Sequence, residues 1–198
     1  MAKLIFASKN EGKGRELREF LTPLGIEVVS LNELDNVPAI IEDGTTFQEN
    51  ATIKAETIAR AFGVPVVAED AGLMVDALNG APGVYSARYA GDHDDAANNA
   101  KLLHELESTP DIDRTASFHA VIVAIKPDGK RLVAAGKVDG RILREARGEG
   151  GFGYDSLFYY EPFDKTLAEL TPAEKNEISH RGAALREFMT EFKNWWED

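Results

Sequence analysis

The sequence has no cysteine among its 198 residues, so no disulfide bond stabilises the fold and no thiolate can act as nucleophile or metal ligand. It also lacks an apolar run approaching the roughly 20 residues that a membrane-spanning helix requires. No signal peptide is recognisable at its start, and we expect a soluble, cytoplasmic protein. The length fits one domain, residues 1–198, with a substantial hydrophobic core.

Basic residues are scarce as well. Lys and Arg number 22 against 34 for Asp and Glu, a formal net charge of −12. Because nucleic-acid binding depends on neutralising phosphates with basic side chains, nucleic acid is not an expected partner. A small phosphorylated ligand is compatible with this charge if basic groups concentrate locally or a divalent cation bridges the ligand to carboxylates.

One such local concentration occurs near the N-terminus. The apolar run Leu4 to Ala7 predicts a buried strand, and a helical pattern follows a short polar loop. That loop consists of Ser8, Lys9, Asn10, Glu11, Gly12 and Lys13. Unpaired N–H groups at the helix start, the helix dipole and two ammonium groups together favour a phosphate. The loop is not a P-loop, because Gly14 follows Lys13 where that motif has Ser or Thr. An ordinary strand-to-helix turn with solvated lysines is the alternative interpretation.

Acidic residues form a second candidate site. Val66 to Ala68 predicts a short strand, and Glu69 and Asp70 directly after it are expected at the carboxyl edge of the sheet, where α/β folds bind ligands. With Glu42 and Asp43 from an acidic loop, they offer the hard oxygen ligands that suit Mg²⁺. A carboxylate not used by the metal can accept a proton from an attacking water. The alternative is a pair of acidic residues in a surface turn.

Two segments nearer the C-terminus combine aromatic, glycine and basic residues. In the segment Gly150 to Asp155, glycines around an aromatic residue let the backbone approach a planar ligand, with the ring available for stacking. A tight turn beneath a core aromatic is the competing interpretation. Lys175, His180 and Arg181 bracket a predicted junction of two helices, where arginine suits a phosphate or a carbonyl edge. Taken singly, Lys175 also fits a solvated helix position, and His180 a cap.

The order of predicted elements indicates the fold class. Thr46 and Glu49 have the spacing of a capping box, which opens a helix that runs to about Phe62. Strands alternate with helices in the first part of the chain, and Pro127-Asp128-Gly129 later predicts an antiparallel hairpin. We therefore predict an α/β fold around a mixed β-sheet.

Six segments together resemble the inosine triphosphate pyrophosphatase family, which hydrolyses non-standard purine nucleoside triphosphates. They follow the family's order from residue 4 to the final helix: Ser8–Lys13, Thr46–Ala51, Ala68–Leu73, Gly80–Arg88, Gly151–Asp155 and Lys175–Gly182. The resemblance implies a homodimer of elongated α/β subunits. Each subunit would have a mixed β-sheet flanked by helices and two lobes with a nucleotide cleft between them.

The resemblance also implies a role for each candidate residue. The triphosphate tail would be held by Ser8, Lys9, Asn10, Glu11, Gly12, Lys13 and Lys54. Glu42 and Asp70 would hold Mg²⁺, with one or more ions per subunit, and Asp70, with Glu69 beside it, would be the proton acceptor. The base would be enclosed by Phe152, Gly153, Tyr154, Asp155, Lys175, His180 and Arg181. Ser8 replaces the usual threonine and keeps its hydroxyl. Ala71 stands where the family commonly has a serine that contacts substrate. The missing hydroxyl removes one hydrogen bond, which contributes about 1 kcal/mol.

The expected reaction is Mg²⁺-assisted hydrolysis between the α- and β-phosphates, giving a nucleoside monophosphate and pyrophosphate. Substrates with an oxygen at C6 suit a donor such as Arg181, so dITP, ITP and XTP should react faster than ATP. The cleavage of GTP should also be slow, although these residues do not explain how guanine is excluded. One alternative is a regulator that binds a purine triphosphate without cleaving it. Another is an enzyme of similar architecture that acts on modified pyrimidine or methylated nucleotides.

Overall fold

The computed structural model describes residues 2–197. Strands and helices alternate in its first half, as predicted. In chain order the elements are β1 (Ala2–Phe6), α1 (Glu11–Leu21), β2 (Ile26–Ser30), α2 (Phe47–Phe62), β3 (Val66–Val75), α3 (Asp95–Glu105), β4 (Thr115–Ile125), β5 (Arg131–Ile142), β6 (Phe158–Tyr160), β7 (Lys165–Thr166), α4 (Pro172–Ile178) and α5 (His180–Glu197).

The strands of this part of the chain form one seven-stranded sheet in the order β2-β1-β3-β4-β5-β6-β7. Strand β1 runs parallel to both β2 and β3, so that Ile5 lies opposite Val29 and Val66. Strand β6 is antiparallel to both β5 and β7. Adjacent strands β4 and β5 are joined only by residues 126–130, and so short a connection requires an antiparallel hairpin. The mixed sheet and the α/β class are therefore confirmed.

The chain divides into two compact units. The first comprises the residues through Asp70, Val121–Ala135 and the residues from Ala184 onward, and the second comprises Ala71–Ala120 and Gly136–Ala183. The core of the first unit packs small and aliphatic side chains of α2, such as Ala55 and Ile58, against the strands. The core of the second packs Leu102 of α3, and Leu106 directly after that helix, against strand residues that include Phe118 and Phe158. Each unit thus has its own hydrophobic core.

Local sequence signals account for the helix ends. The Thr46 side chain accepts the Glu49 N–H and Glu49 accepts the Thr46 N–H, which is the predicted capping box of α2. That helix ends at Phe62 and is capped by Gly63, whose φ of 65° is the left-handed conformation that glycine adopts at low cost. Ser179 Oγ accepts the Gly182 N–H at 3.0 Å at the start of α5. None of the helices between residues 2 and 197 combines the length and the apolar character that crossing a bilayer requires.

Strand β3 departs from the prediction. The sequence interpretation ends the strand at Ala68 and places Glu69 and Asp70 after it, but β3 continues to Val75 and both carboxylates lie in its interior. Val66 and Ala68 belong to the core of the first unit, whereas Leu73 and Val75, beyond the acidic pair, belong to the core of the second. Because residues both before and after the acidic pair are buried in a core, the strand continues through Glu69 and Asp70. The charges inside it are tolerated because lysines pair with them.

Candidate active site

The loop between β1 and α1 is ordered by its own polar side chains. Asn10 is the N-cap of α1, and its Oδ1 accepts the Lys13 backbone N–H at 3.0 Å. The Asn10 N–H in turn donates to Ser8 Oγ at 3.1 Å. The loop therefore ends at a capped helix N-terminus, where the remaining N–H groups and the helix dipole favour an anion.

The segment that follows β2 holds two other residues of this loop, Lys9 and Glu11. Asn32 Nδ2 donates to the Lys9 carbonyl at 2.9 Å and also to the Glu11 carboxylate. The Lys9 side chain is exposed, and Gly12 lies in the first turn of α1. All six residues predicted for the phosphate loop thus lie at the end of β1 and the start of α1.

Lys13 links this loop to the acidic part of β3. Phe6, the last residue of β1, pairs with Val67, so the chain leaving β1 runs beside the Glu69 region of the neighbouring strand. Lys13 Nζ lies 2.9 Å from Glu69 Oε1, and the Glu69 side chain is only 3% exposed. A carboxylate buried to this extent requires a charged or hydrogen-bonding partner. The structure therefore joins two predicted sites, the phosphate loop and the acidic strand.

Lys54 forms a second and denser cluster in the same unit. Its Nζ lies 2.7 Å from Glu42 Oε2 and 2.9 Å from Asp70 Oδ1, and the Lys54 and Asp70 side chains are largely buried. Helix α2 supplies Lys54, the segment before α2 supplies Glu42, and β3 supplies Asp70. One ammonium group is thus shared by two carboxylates from different parts of the chain.

Asn50 also belongs to the Lys54 cluster, a role not predicted from the sequence. It precedes Lys54 by one helical turn, and its Nδ2 lies 3.4 Å from Asp70 Oδ2. Its Oδ1 accepts the Gly44 N–H at 2.9 Å, which ties the Glu42 segment to α2. A Cβ at Gly44 would lie 2.7 Å from this oxygen, so the close approach requires glycine. In the sequence, Asn50 stands four residues before Lys54 and within the segment Thr46–Ala51 that carries the family resemblance.

Burial shifts the acidity of Asp70. It raises the pKa of the Asp70 carboxyl above its ordinary value, and this effect exceeds the lowering by the nearby Lys54 ammonium. The Asn50 amide also favours the ionised form, whereas the Glu42 charge opposes it. A carboxylate with a raised pKa is a stronger base than an ordinary one. Asp70 is therefore suited to accepting a proton from water.

The same cluster has the donor chemistry of a magnesium site. Glu42 and Asp70 both place an oxygen within 2.9 Å of one cationic nitrogen. Across the described chain, no three or more His, Cys, Asp or Glu side chains are grouped to hold a metal ion. Mg²⁺ commonly takes one or two carboxylates and completes its shell with water and substrate phosphates. A pair of carboxylates fits that pattern.

A separate candidate region lies in the second unit, at the loop Gly151 to Asp155. Buried Asp155 accepts the Phe152 N–H through Oδ2 at 2.9 Å and pairs with Lys175 Nζ. Gly151 has a φ of 74°, and a Cβ there would overlap the Asp155 carboxylate. Phe152 is 70% exposed, and Lys175 Nζ lies 5.0 Å from the centroid of its ring. The loop therefore presents an exposed aromatic face beside an ammonium group. We call residues Gly151 to Asp155 the aromatic loop.

The remaining candidate residues of the second unit lie at its interior and in α5. Tyr154 is buried, its hydroxyl donates to the Ser86 carbonyl at 2.8 Å, and burial raises the pKa of its phenol. The His180 ring stacks on Phe118 with centroids 4.9 Å apart and planes inclined by 14°. Arg181 follows in the first turn of α5 and is half-buried. Ala71 is a half-buried residue of β3. Tyr154 thus anchors the aromatic loop, whereas Phe152 is its exposed ring.

Known proteins match this chain over nearly its whole length. The Ham1 family matches residues 4–191. A dITP/XTP pyrophosphatase of Lactiplantibacillus plantarum is 57% identical over 193 residues, which cover 98% of this chain and 96% of that protein. A dITP/XTP pyrophosphatase of Leuconostoc mesenteroides is 51% identical over 196 residues, covering 98% of each.

Solved structures agree. The structure of a HAM1 protein from Coxiella burnetii is 45% identical and superposes with a TM-score of 0.92, covering 98% of this chain and 100% of that one. The Staphylococcus aureus Ham1 protein is 41% identical with a TM-score of 0.91, covering 97% of this chain and 98% of that one. The likeness therefore includes both candidate regions.

Proposed function

Because the chain belongs to the Ham1 family, we propose that it hydrolyses the non-standard purine nucleoside triphosphates dITP, ITP and XTP to the nucleoside monophosphate and pyrophosphate. Such a nucleoside-triphosphate pyrophosphatase removes these nucleotides before they are incorporated into DNA and RNA. The structural observation that carries the proposal is the Lys54 ammonium group, which is shared by Glu42 and Asp70. A protein that only senses a nucleotide has little use for a buried, basic carboxylate at such a place.

The triphosphate tail is assigned to the first unit. The capped N-terminus of α1 offers backbone N–H groups and a favourable dipole, and Lys13 and Lys54 add two ammonium groups. In the protein without substrate these lysines neutralise buried carboxylates. A triphosphate would share the two lysines with these carboxylates, so that each ammonium group lies between a carboxylate and the phosphates. Ser8, Lys9, Asn10, Glu11 and Gly12 would shape the loop around the phosphates.

Glu42 and Asp70 are the residues that would hold Mg²⁺, one or more ions per subunit. When bound, Mg²⁺ would neutralise the negative charge of the phosphate oxygens. The Lys54 ammonium, which lies 2.7 Å from Glu42 and 2.9 Å from Asp70, would add a fixed positive charge beside the phosphates. Asn50 keeps Asp70 in place through the amide contact at 3.4 Å.

Asp70 is proposed to accept the proton of the attacking water, with Glu69 beside it in β3. The raised pKa of Asp70 supports this role, because the buried carboxylate gains more from protonation than a solvated one would. Lys13, paired with Glu69, supplies fixed positive charge where negative charge develops on the leaving pyrophosphate.

The base is assigned to the second unit. The exposed Phe152 ring offers a stacking surface, and the Arg181 guanidinium suits the C6 oxygen of hypoxanthine or xanthine. Adenine presents an amino group at C6 and would leave that donor unsatisfied, which disfavours it strongly. Gly153, Tyr154, Asp155, Lys175 and His180 would complete the enclosure, and Ala71 lacks the hydroxyl that its usual serine offers the substrate. From the family resemblance we also propose a cytoplasmic homodimer that binds neither nucleic acid nor a membrane.

A nucleotide panel tests the proposal. The protein is incubated with ITP, dITP, XTP, GTP, ATP and modified pyrimidine or methylated nucleotides, with and without Mg²⁺, and pyrophosphate and orthophosphate are measured separately. We expect Mg²⁺-dependent release of pyrophosphate from ITP, dITP and XTP far faster than from ATP or GTP. Release of orthophosphate would contradict the assigned bond. Binding of ITP without cleavage would favour the regulator, and preference for a modified pyrimidine would favour the other enzyme class.

A further inference from the structure

The aromatic loop is held by helix α3 as well as by its own residues. The Gly153 N–H donates to Asp95 Oδ2 at 2.7 Å, and the Gly153 carbonyl accepts from Asn99 Nδ2 at 2.9 Å. The two peptide groups that flank Gly153 are therefore both bonded to α3. We call Asp95 and Asn99 the α3 clamp.

The geometry of α3 suits it to this task. Residues four apart on a helix lie on the same face, so Asp95 and Asn99 can bond one short segment of chain together. Gly153 has a φ of 60°, a left-handed conformation that the clamp holds on both sides. The helix itself is anchored, because Asp94 caps its N-terminus and Leu102 is buried in the core of the second unit. The clamp is thus a rigid support for a loop that has an unusual backbone.

The clamp and Asp155 together fix the backbone around Phe152. Asp155 accepts the Phe152 N–H at 2.9 Å, and Asp95 accepts the N–H of the next residue. The peptide groups on both sides of Phe152 are therefore bonded, while its ring stays exposed. An exposed ring on a fixed backbone has a defined direction before any ligand binds, which reduces the ordering cost of stacking a base on it.

The Asn99 side chain makes its hydrogen bond to the loop while its amide oxygen is left without a partner among the described residues. Because the Gly153 carbonyl requires a donor, the amide is oriented with Nδ2 toward the loop. Its Oδ1 is buried and has no hydrogen-bond partner among the described residues. A buried acceptor left unsatisfied is costly. A side chain that served packing alone would be better replaced by an apolar one.

We propose that Asp95 and Asn99 are positioning residues that set the base selectivity of this protein by holding Gly153 and, through it, the Phe152 ring. The inference rests on the proposed function, in which Phe152 stacks on the purine. Neither clamp residue contacts the base in this scheme. Without the clamp the ring would take several directions, so nucleotides with a base would bind more weakly, whereas the reaction at the phosphates would be unchanged.

The test compares Asp95→Ala and Asn99→Ala with Asp92→Ala, a control at an aspartate just before the same helix whose side chain is 81% exposed. KM and kcat are measured for ITP and ATP, together with inhibition by inorganic tripolyphosphate, which has a tail but no base. We expect KM for ITP to rise about ten- to a hundredfold in both clamp variants. We also expect kcat and tripolyphosphate inhibition to stay near those of the unchanged protein, the ITP preference over ATP to fall, and the control to change nothing.

Isosteric variants guard against a loss of fold. Asp95→Asn keeps an oxygen for the Gly153 N–H and should retain most of the affinity, whereas Asn99→Asp keeps the shape but removes the donor and should not. Equal losses for ITP and tripolyphosphate, or a lower kcat at unchanged KM, would overturn the proposal, as would unchanged kinetics in both clamp variants. If the unchanged protein fails to cleave ITP, the proposed function fails. The clamp is then judged by calorimetric binding of ITP, which the clamp variants should still weaken.

Discussion

Both units of the molecule pair a lysine with a largely buried aspartate, yet the two pairs have different consequences. In the first unit Asp70 shares Lys54 with Glu42, and burial leaves its pKa raised. In the second unit Asp155 pairs with Lys175 and also accepts the Phe152 N–H. The Asp155 pair shapes a backbone, whereas the Asp70 pair concentrates charge around a basic oxygen. The same two residue types thus form the proposed reactive site in one place and a scaffold in the other.

The comparison also separates two kinds of recognition. The Lys13 and Lys54 clusters consist of charged side chains. They would bind the tail of any triphosphate about equally well, because an ammonium group is a point charge with little directional preference. The aromatic loop instead has a defined conformation, which is set by positive-φ glycines and by hydrogen bonds from α3 and presents an exposed ring. We therefore expect variants in the first unit to affect all substrates and variants in the second to affect the choice of base.

The largest expected effect separates the two aspartates. Asp70→Asn removes the proton acceptor and should lower kcat for ITP by about 10²- to 10⁴-fold with the fold retained. Asp155→Asn removes a scaffold charge and should mainly raise KM and lower the melting temperature. Steady-state kinetics with pyrophosphate detection, together with circular dichroism, measures both. Near-normal turnover in Asp70→Asn would exclude Asp70 as the base and break the comparison.

An effect of intermediate size is expected for variants that distinguish binding of the triphosphate tail from binding of the base. Phe152→Ala removes the stacking surface, which contributes about 1–3 kcal/mol per base in other proteins, so KM for ITP should rise about 5- to 150-fold. Inhibition by tripolyphosphate should not change. Lys54→Met is the corresponding variant in the first unit. It should weaken the binding of both ITP and tripolyphosphate. A Phe152→Ala protein that loses tripolyphosphate affinity as well would show that the two regions do not divide recognition in this way.

The smallest effect concerns stability. Because burial raises the pKa of Asp70, ionising this group costs the folded state more than the unfolded chain. Stability is therefore full below the ordinary pKa of an aspartate and falls as the pH rises through the raised value. Asp70→Asn cannot ionise, so it should melt about 2–4 °C higher than the unchanged protein at neutral pH. Calorimetric melting from acid to neutral pH should show the difference vanish in acid. A lower melting temperature at neutral pH would mean that pairing with Lys54 outweighs burial.

Much of the fold was predictable because its signals are local. The capping box of Thr46 and Glu49 and the Pro127-Asp128-Gly129 hairpin depend on residues a few positions apart. The end of β3 was mispredicted because the acidic pair interrupts an apolar pattern, and the lysines that neutralise it lie far away in the sequence. A rule that considers only neighbouring residues ends a strand at such a point.

The residues missed in the candidate regions have a common cause. Asn50, Asp95 and Asn99 are polar residues on helices, and by sequence alone they are indistinguishable from solvated ones. Their roles arise from what the opposing chain presents: a carboxylate for Asn50 and a glycine peptide for the other two.

By itself, the sequence determined where helices begin and end, that strands and helices alternate, and which charged and aromatic residue types were present for a phosphorylated ligand. These properties depend on backbone preferences and hydrogen bonds within about one turn of chain. Only the tertiary structure decided which lysine neutralises which carboxylate, and which aromatic of the loop is buried and which exposed. Those outcomes require segments distant in sequence to meet, since the pairing of β1 with β3 is what brings the loop of Lys13 beside Glu69.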